Sequence, residues 1–154
     1  MQLYPAIDMK NGQCVRLRQG AFKDITIYSD APERWRPTGR KKGILPASGG
    51  PGRRLAGYSV NEEVIRRIAD TVSIPIEIGG GIRSKEAVER MLDLGVRRVI
   101  IGTKAAEHPE FLRDMVRTFG EEAIVAGVDA KDGMVAVEGW EKSAPLPPRT
   151  CVLP

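Results

Sequence analysis

Two copies of one short pattern carry the carboxylates best suited to chemistry in this sequence. Ala6 to Gly12 reads AIDMKNG and Gly127 to Gly133 reads GVDAKDG, so Asp-x-Lys-(Asn/Asp)-Gly occurs twice, 121 residues apart. In each copy an apolar stretch leads into the Asp, and an apolar pair follows the turn at the same distance, Cys14-Val15 and Met134-Val135. Two carboxyl groups facing one ligand can divide the labour of proton transfer, one ionised as base and one protonated as acid, if their surroundings push their pKa values apart. The same spacing also suits a plainer role, in which Asp8 and Asp129 only shape the turns at Asn11-Gly12 and Asp132-Gly133.

A second group of residues has the chemistry of an anion site. Gly79-Gly80-Gly81 stands between an apolar run and Arg83, with Ser84 next as a helix cap. Glycines there let backbone N–H groups approach a phosphate, and a helix terminus adds partial positive charge. Gly102-Thr103 follows the next apolar run and offers a second small corner; the alternative for both is tight strand-to-helix packing. Arg16, in the polar run VRLRQG, either closes over an anionic ligand or belongs to a solvated hairpin. Trp140 either stacks on a flat ring or is an ordinary aromatic. His108, the one histidine, reads as a surface or capping residue before Pro109. Cys14 and Cys151 lack metal-ligand spacing and read as ordinary thiols.

The elements that must position these residues follow from periodicity. Residues 2 to 8 form an apolar stretch, and Cys14 to Leu17 a short strand after the Asn11-Gly12 turn. Asp30 starts a helix that Pro37 stops early. Asn61 caps a helix whose Val64, Ile65, Ile68, Ala69 and Val72 recur at helical spacing. Pro75 to Gly79 is a strand, and Ser84 caps a helix that stops at Gly95. Val96 to Gly102 is the next strand, Pro109 opens a helix through Phe111, Leu112, Met115 and Val116, and Ala123 to Asp129 is one further strand. Strands alternating with helices at this spacing require a parallel sheet covered by helices, the α/β class. An offset of 121 residues spans about four such units, half of an eight-stranded barrel of about 250 residues.

Length and composition narrow the rest. The 154 residues suit one domain, and 42% hydrophobic with 29% charged residues is the balance of a globular protein. No apolar run approaches the roughly 20 residues of a membrane span. The first twenty residues, with Asp8, Lys10, Arg16 and Arg18 in an alternating pattern, do not make a secretion signal, so the expected compartment is the cytoplasm. The net charge of +4 comes from residues 35 to 54, which hold six basic side chains, five glycines and three prolines and no acid. That segment reads as a disordered insert, and a nucleic-acid role for it would rest on charge alone. Residues 143 to 154, with four prolines, read as a tail unable to hold a helix or central strand.

PAIDMKNGQCVRLRQG, LAGYSVNEEVIRRIADTVSIPIEIGGGIRS, VIIGTKAAEHPEF and AGVDAKDGMVAVEGWEK together resemble the N-terminal part of the ProFAR isomerase family of histidine biosynthesis, over residues 1 to 34 and 55 to 142. The resemblance implies a (βα)8 TIM barrel and an Amadori rearrangement of a phosphorylated, nucleotide-like aminoaldose to the aminoketose, with no metal or cofactor. By motif match it makes Asp8 the proton acceptor and Asp129 the proton donor, with Gly79 to Gly81 and Gly102-Thr103 in one phosphate site. A dual-substrate isomerase also serving tryptophan synthesis shares both aspartates. The sister cyclase fits less well, because the first strand reads Ala6-Ile7-Asp8 and not Cys-Leu-Asp.

Residues 35 to 54 stand where the family has its second strand but do not resemble it, and the pattern resumes at Leu55. A reading-frame slip restored there, with another near Ser143, would leave such segments. The expectation is a partial barrel over residues 1 to 142 with parallel strands 1, 3, 4 and 5, a disrupted strand 2 and a Pro-rich tail. Strands six to eight, where the family carries its second phosphate site, would be missing. Exposed sheet edges would then favour self-association, and the chain would be an inactive phosphate-binding half-barrel.

Overall fold

A computed structural model describes residues 6–18, 21–31, 45–49, 54–55, 58–131, 134–137 and 142–144. The helix expected from Asp30 onward falls almost wholly outside these residues, as does Trp140.

The Asn11-Gly12 turn folds as its sequence predicts. Asn11 (φ 51°) and Gly12 (φ 81°) both take positive φ, as a two-residue hairpin turn requires. It joins β1 (Ile7–Lys10) to β2 (Gln13–Arg18), which pairs with β3 (Ala21–Ser29). Arg16 thus lies in a hairpin strand.

Residues 45–49 overturn the expectation of an insert without regular structure. They form β4 (Leu45–Gly49), a parallel strand between β1 and β7 (Ile76–Gly79). Its own composition conceals it: LPASG has neither alternation nor bulk, and Pro46 lacks the N–H that a central strand normally contributes. What holds it is position, with a paired neighbour on either side. Beyond it β5 (Arg54–Leu55) pairs with β6 (Tyr58–Ser59), and α1 (Val60–Thr71) follows.

The remaining units alternate as expected: α2 (Lys85–Asp93), β8 (Arg98–Ile101), α3 (Thr103–Glu107), α4 (Pro109–Phe119) and β9 (Ile124–Ala126). Ser84 caps α2 by accepting the Ala87 N–H at 3.2 Å, and Pro109 sits in the first turn of α4. The main sheet has the order β3-β2-β1-β4-β7-β8-β9, parallel from β1 to β9.

Register separates the two faces of this sheet. One row runs Ile7, Ala47, Ile78, Val99, Ile124. Ile7, Ile78, Val99 and Ile124 of this row are buried in one cluster with Val64, Ile65 and Ile68 of α1, Val88 and Met91 of α2, and Met115 of α4. Burying each such side chain contributes about 1.5–3 kcal/mol. The adjacent row, Asp8, Ser48, Gly79, Ile100, Val125, belongs to the opposite face, where Asp8, Gly79, Ile100 and Val125 are only half-buried.

The strand expected over Ala123 to Asp129 is broken. β9 ends at Ala126, and β10 (Asp129–Lys131) begins a separate antiparallel sheet with β11 (Met134–Val137) and β12 (Lys142–Ala144). Gly127 marks the break: its N–H bonds to the Ile101 carbonyl at 2.9 Å, and a Cβ there would lie 2.8 Å from Ile100 Cγ2. β12 also corrects the expected tail, since Ser143 and Ala144 pair with Ala136 and Val135. Residues 145–154 lie outside the described residues.

Candidate active site

The strands on either side of the two repeats pair in matching register. In the first, Asp8, Met9 and Lys10 pair with Val15, Cys14 and Gln13; in the second, Asp129, Ala130 and Lys131 pair with Ala136, Val135 and Met134. Adding 121 to every residue of the first ladder gives the second, so the repeat seen in the sequence is a repeat of hairpin register. The settings of the two acids differ. Asp8 lies within β1, half-buried, in the same row as Gly79 and Ile100, whereas Asp129 is exposed at the first residue of β10 and not at the end of a main-sheet strand.

Asp8 also acts on its neighbour. Burial pushes the Cys14 thiol above its ordinary value of 9.0, and the negative charge of Asp8 raises it further. Both effects favour the neutral thiol at Cys14 over the thiolate.

Gly79 ends β7, and Gly80 (φ 114°) and Gly81 (φ 67°) turn the chain toward α2. The positive φ at Gly81 lies in the region that side chains avoid, although nothing crowds the place a Cβ would occupy. Gly102 follows the neighbouring β8 and precedes α3 at Thr103. Gly79 and Ile100 are register partners, so the two glycine corners lie on adjacent strands at their C-terminal ends. Arg83 is exposed on the loop between Gly81 and Ser84. Arg16 lies on the hairpin away from both corners in sheet order; its side chain is outside what is described.

One pair was missed at the level of sequence. Glu77 and Arg98 are register partners on the face that carries Asp8 and form an ion pair at 2.9 Å, with Arg98 Nε buried and without an acceptor among the described residues. Pairing across strands depends on register that no single segment encodes. His108, as expected, is exposed between α3 and α4, where its Nδ1 lies 3.0 Å from Glu110 Oε1. No group of His, Cys, Asp or Glu able to hold a metal occurs among the described residues. No helix among them is long and apolar enough to cross a membrane.

The family described as "Histidine biosynthesis protein" matches residues 53–152. The chain belongs to that family. Among curated members, it is 54% identical over 147 residues to the 1-(5-phosphoribosyl)-5-((5-phosphoribosylamino)methylideneamino)imidazole-4-carboxamide isomerase of Lachnoclostridium phytofermentans, covering 92% of this chain and 60% of that protein. Proteins of the same name from Syntrophomonas wolfei and Roseiflexus castenholzii are 46% and 42% identical, covering 91% and 95% of this chain and 58% and 62% of theirs. The chain thus spans about three fifths of the length of these histidine-biosynthesis relatives. The family fold is a TIM barrel, and the parallel α/β sheet accords with it.

Proposed function

We propose that this chain is the part of an aldose-ketose isomerase of histidine biosynthesis that carries both proton-transfer aspartates and one phosphate site, within the first five strands of a (βα)8 barrel. The observation that carries the reading is the repeated hairpin register around Asp8 and Asp129. A second feature supports it. Following hydrogen-bonded register from Asp8 across four strand pairs leads to Val125, whereas the repeat equivalent of Asp8 is Asp129, four residues farther along. An eight-stranded barrel with a shear of 8 accumulates a stagger of four residues per half turn. The two aspartates would then stand at equal height on opposite sides of the barrel mouth.

In that mouth the residues present would act as follows. Asp129, protonated, gives its proton to the ribose ring oxygen, and the ring opens to a Schiff base. Asp8, ionised, removes the proton from C2, and the resulting enolamine tautomerises to the ketone. The glycine corners at Gly79 to Gly81 and Gly102-Thr103, with Arg83 nearby, would receive one phosphate through backbone N–H groups. The remaining two fifths of the relatives' length would supply the closing strands and hold the far end of the substrate. The 154-residue polypeptide alone would bind weakly, turn over little, and associate with itself through open sheet edges. A cytoplasmic setting goes with this reading.

The test joins the chain to the C-terminal two fifths of the Lachnoclostridium phytofermentans relative and follows conversion of the aminoaldose. Asp8→Asn and Asp129→Asn should each lower kcat by about 100-fold or more with KM changed far less. Retention of wild-type kcat by either variant would remove that aspartate from the chemistry.

A further inference from the structure

We propose that Asn61 is a positioning residue that locks the turn between β1 and β2 and so fixes where Asp8 presents its carboxylate. The sequence pattern makes Asn61 a helix cap. Instead it lies at the second residue of α1, 4% exposed, the one buried polar side chain among the described residues. Its Oδ1 accepts the Gly12 N–H at 2.8 Å, a contact between residues 49 positions apart. Gly12 is itself buried, so this hydrogen bond satisfies a donor that water does not reach.

The effect of this tie extends beyond the turn. Lys10↔Gln13, Met9↔Cys14 and Asp8↔Val15 form a continuous ladder from the turn to Asp8, so rotation or fraying at Gly12 passes directly to the carboxylate. On its other side, among the described residues, β1 is held through Ile7 to Met9, against a strand containing Pro46. The helix-to-turn bond therefore fixes the hairpin against a layer whose own position is set by Val64, Ile65 and Ile68 in the core. Cys14, beside Asp8, provides a built-in probe of that geometry.

The proposal rests on Asp8 as a reacting group for its catalytic meaning, but the tie can be tested in the 154-residue chain without turnover. In a Cys151→Ser background, the exchange rate of the Gly12 amide and the alkylation rate of Cys14 are measured with Asp8 and with Asp8→Asn. Asn61→Leu, similar in shape and lacking the acceptor, should speed Gly12 exchange about tenfold while Val99 in β8 stays protected. It should also shrink the acceleration of Cys14 alkylation that Asp8→Asn produces, because the carboxylate no longer holds one distance from the thiol. Asn61→Asp keeps an oxygen in place and should leave Gly12 protected. Unchanged Gly12 exchange in Asn61→Leu, or an undiminished Asp8→Asn effect there, overturns the proposal. Should Leu unfold the chain, all amides exchange together and Asn61→Asp decides: Gly12 protection kept supports the tie, and protection lost refutes it. If Asp8→Asn in the completed barrel instead retains full activity, the catalytic reading fails while the tie itself stands.

Discussion

Burial, and after it the charge of Asp8, hold the Cys14 thiol above 9.0, so Cys14 should react with iodoacetamide more slowly than a free cysteine at pH 8. Asp8→Asn removes the charge but not the burial, so the thiol pKa should fall part of the way and alkylation should quicken. A pH series of alkylation rates in Cys151→Ser protein measures both; an unchanged midpoint in Asp8→Asn would show that the carboxylate does not reach the thiol. At this scale the sequence was informative wherever residue type alone limits the backbone, as at Asn11-Gly12, whose φ values are those of a hairpin turn. It was less informative for Asn61: an Asn beside a helix start equally suits a cap or a tie, and its partner, Gly12, lies in another element.

Elements with strong internal periodicity were legible. Ser84 at the start of α2, Val88 and Met91 on its buried face, and Pro109 at the start of α4 all lie where their pattern puts them. Ser84→Ala should cost about 1 kcal/mol in urea unfolding by losing the bond from the Ala87 N–H. Glu86, in the same first turn, is held below the ordinary 4.5 by its own backbone N–H and then by Ser84. Its stabilising contribution is complete above 4.5 and is lost as pH falls through the lower folded value. The decline of the urea midpoint between pH 5 and pH 3 should therefore be smaller in Glu86→Gln than in the wild type.

Elements fixed by distant partners were not legible. The end of β9 is decided by Ile100, whose side chain occupies the space beside Gly127. Gly127→Ala should destabilise the chain by about 1–3 kcal/mol, and adding Ile100→Ala should recover part of that loss in the same unfolding measurement. A midpoint unaffected by Gly127→Ala would mean the contact is easily relieved. β4 is the same lesson in stronger form, since five residues without a pattern become a strand because β1 and β7 flank them.

Across the whole molecule, the α/β class followed from the alternation of apolar segments, while which face of the sheet stays open required register. That face carries Asp8, Glu77, Arg98 and Ile100, and among the described residues the main sheet runs from β3 at one edge to β9 at the other. Ile27 and Tyr28 on β3 are 55% and 65% exposed. An edge with large apolar side chains invites pairing, so sedimentation of the 154-residue chain should show species heavier than the 16.9 kDa monomer, reduced by Ile27→Lys. A single monomeric boundary at all concentrations would contradict this. Pro46 adds a further consequence. Its ring nitrogen has no hydrogen to offer, so the parallel ladder is a rung short where β4 meets its neighbours. When the sheet is pulled or heated, the first tear should open along that seam, freeing the N-terminal hairpins while the block from β7 to β9 stays folded around its helices.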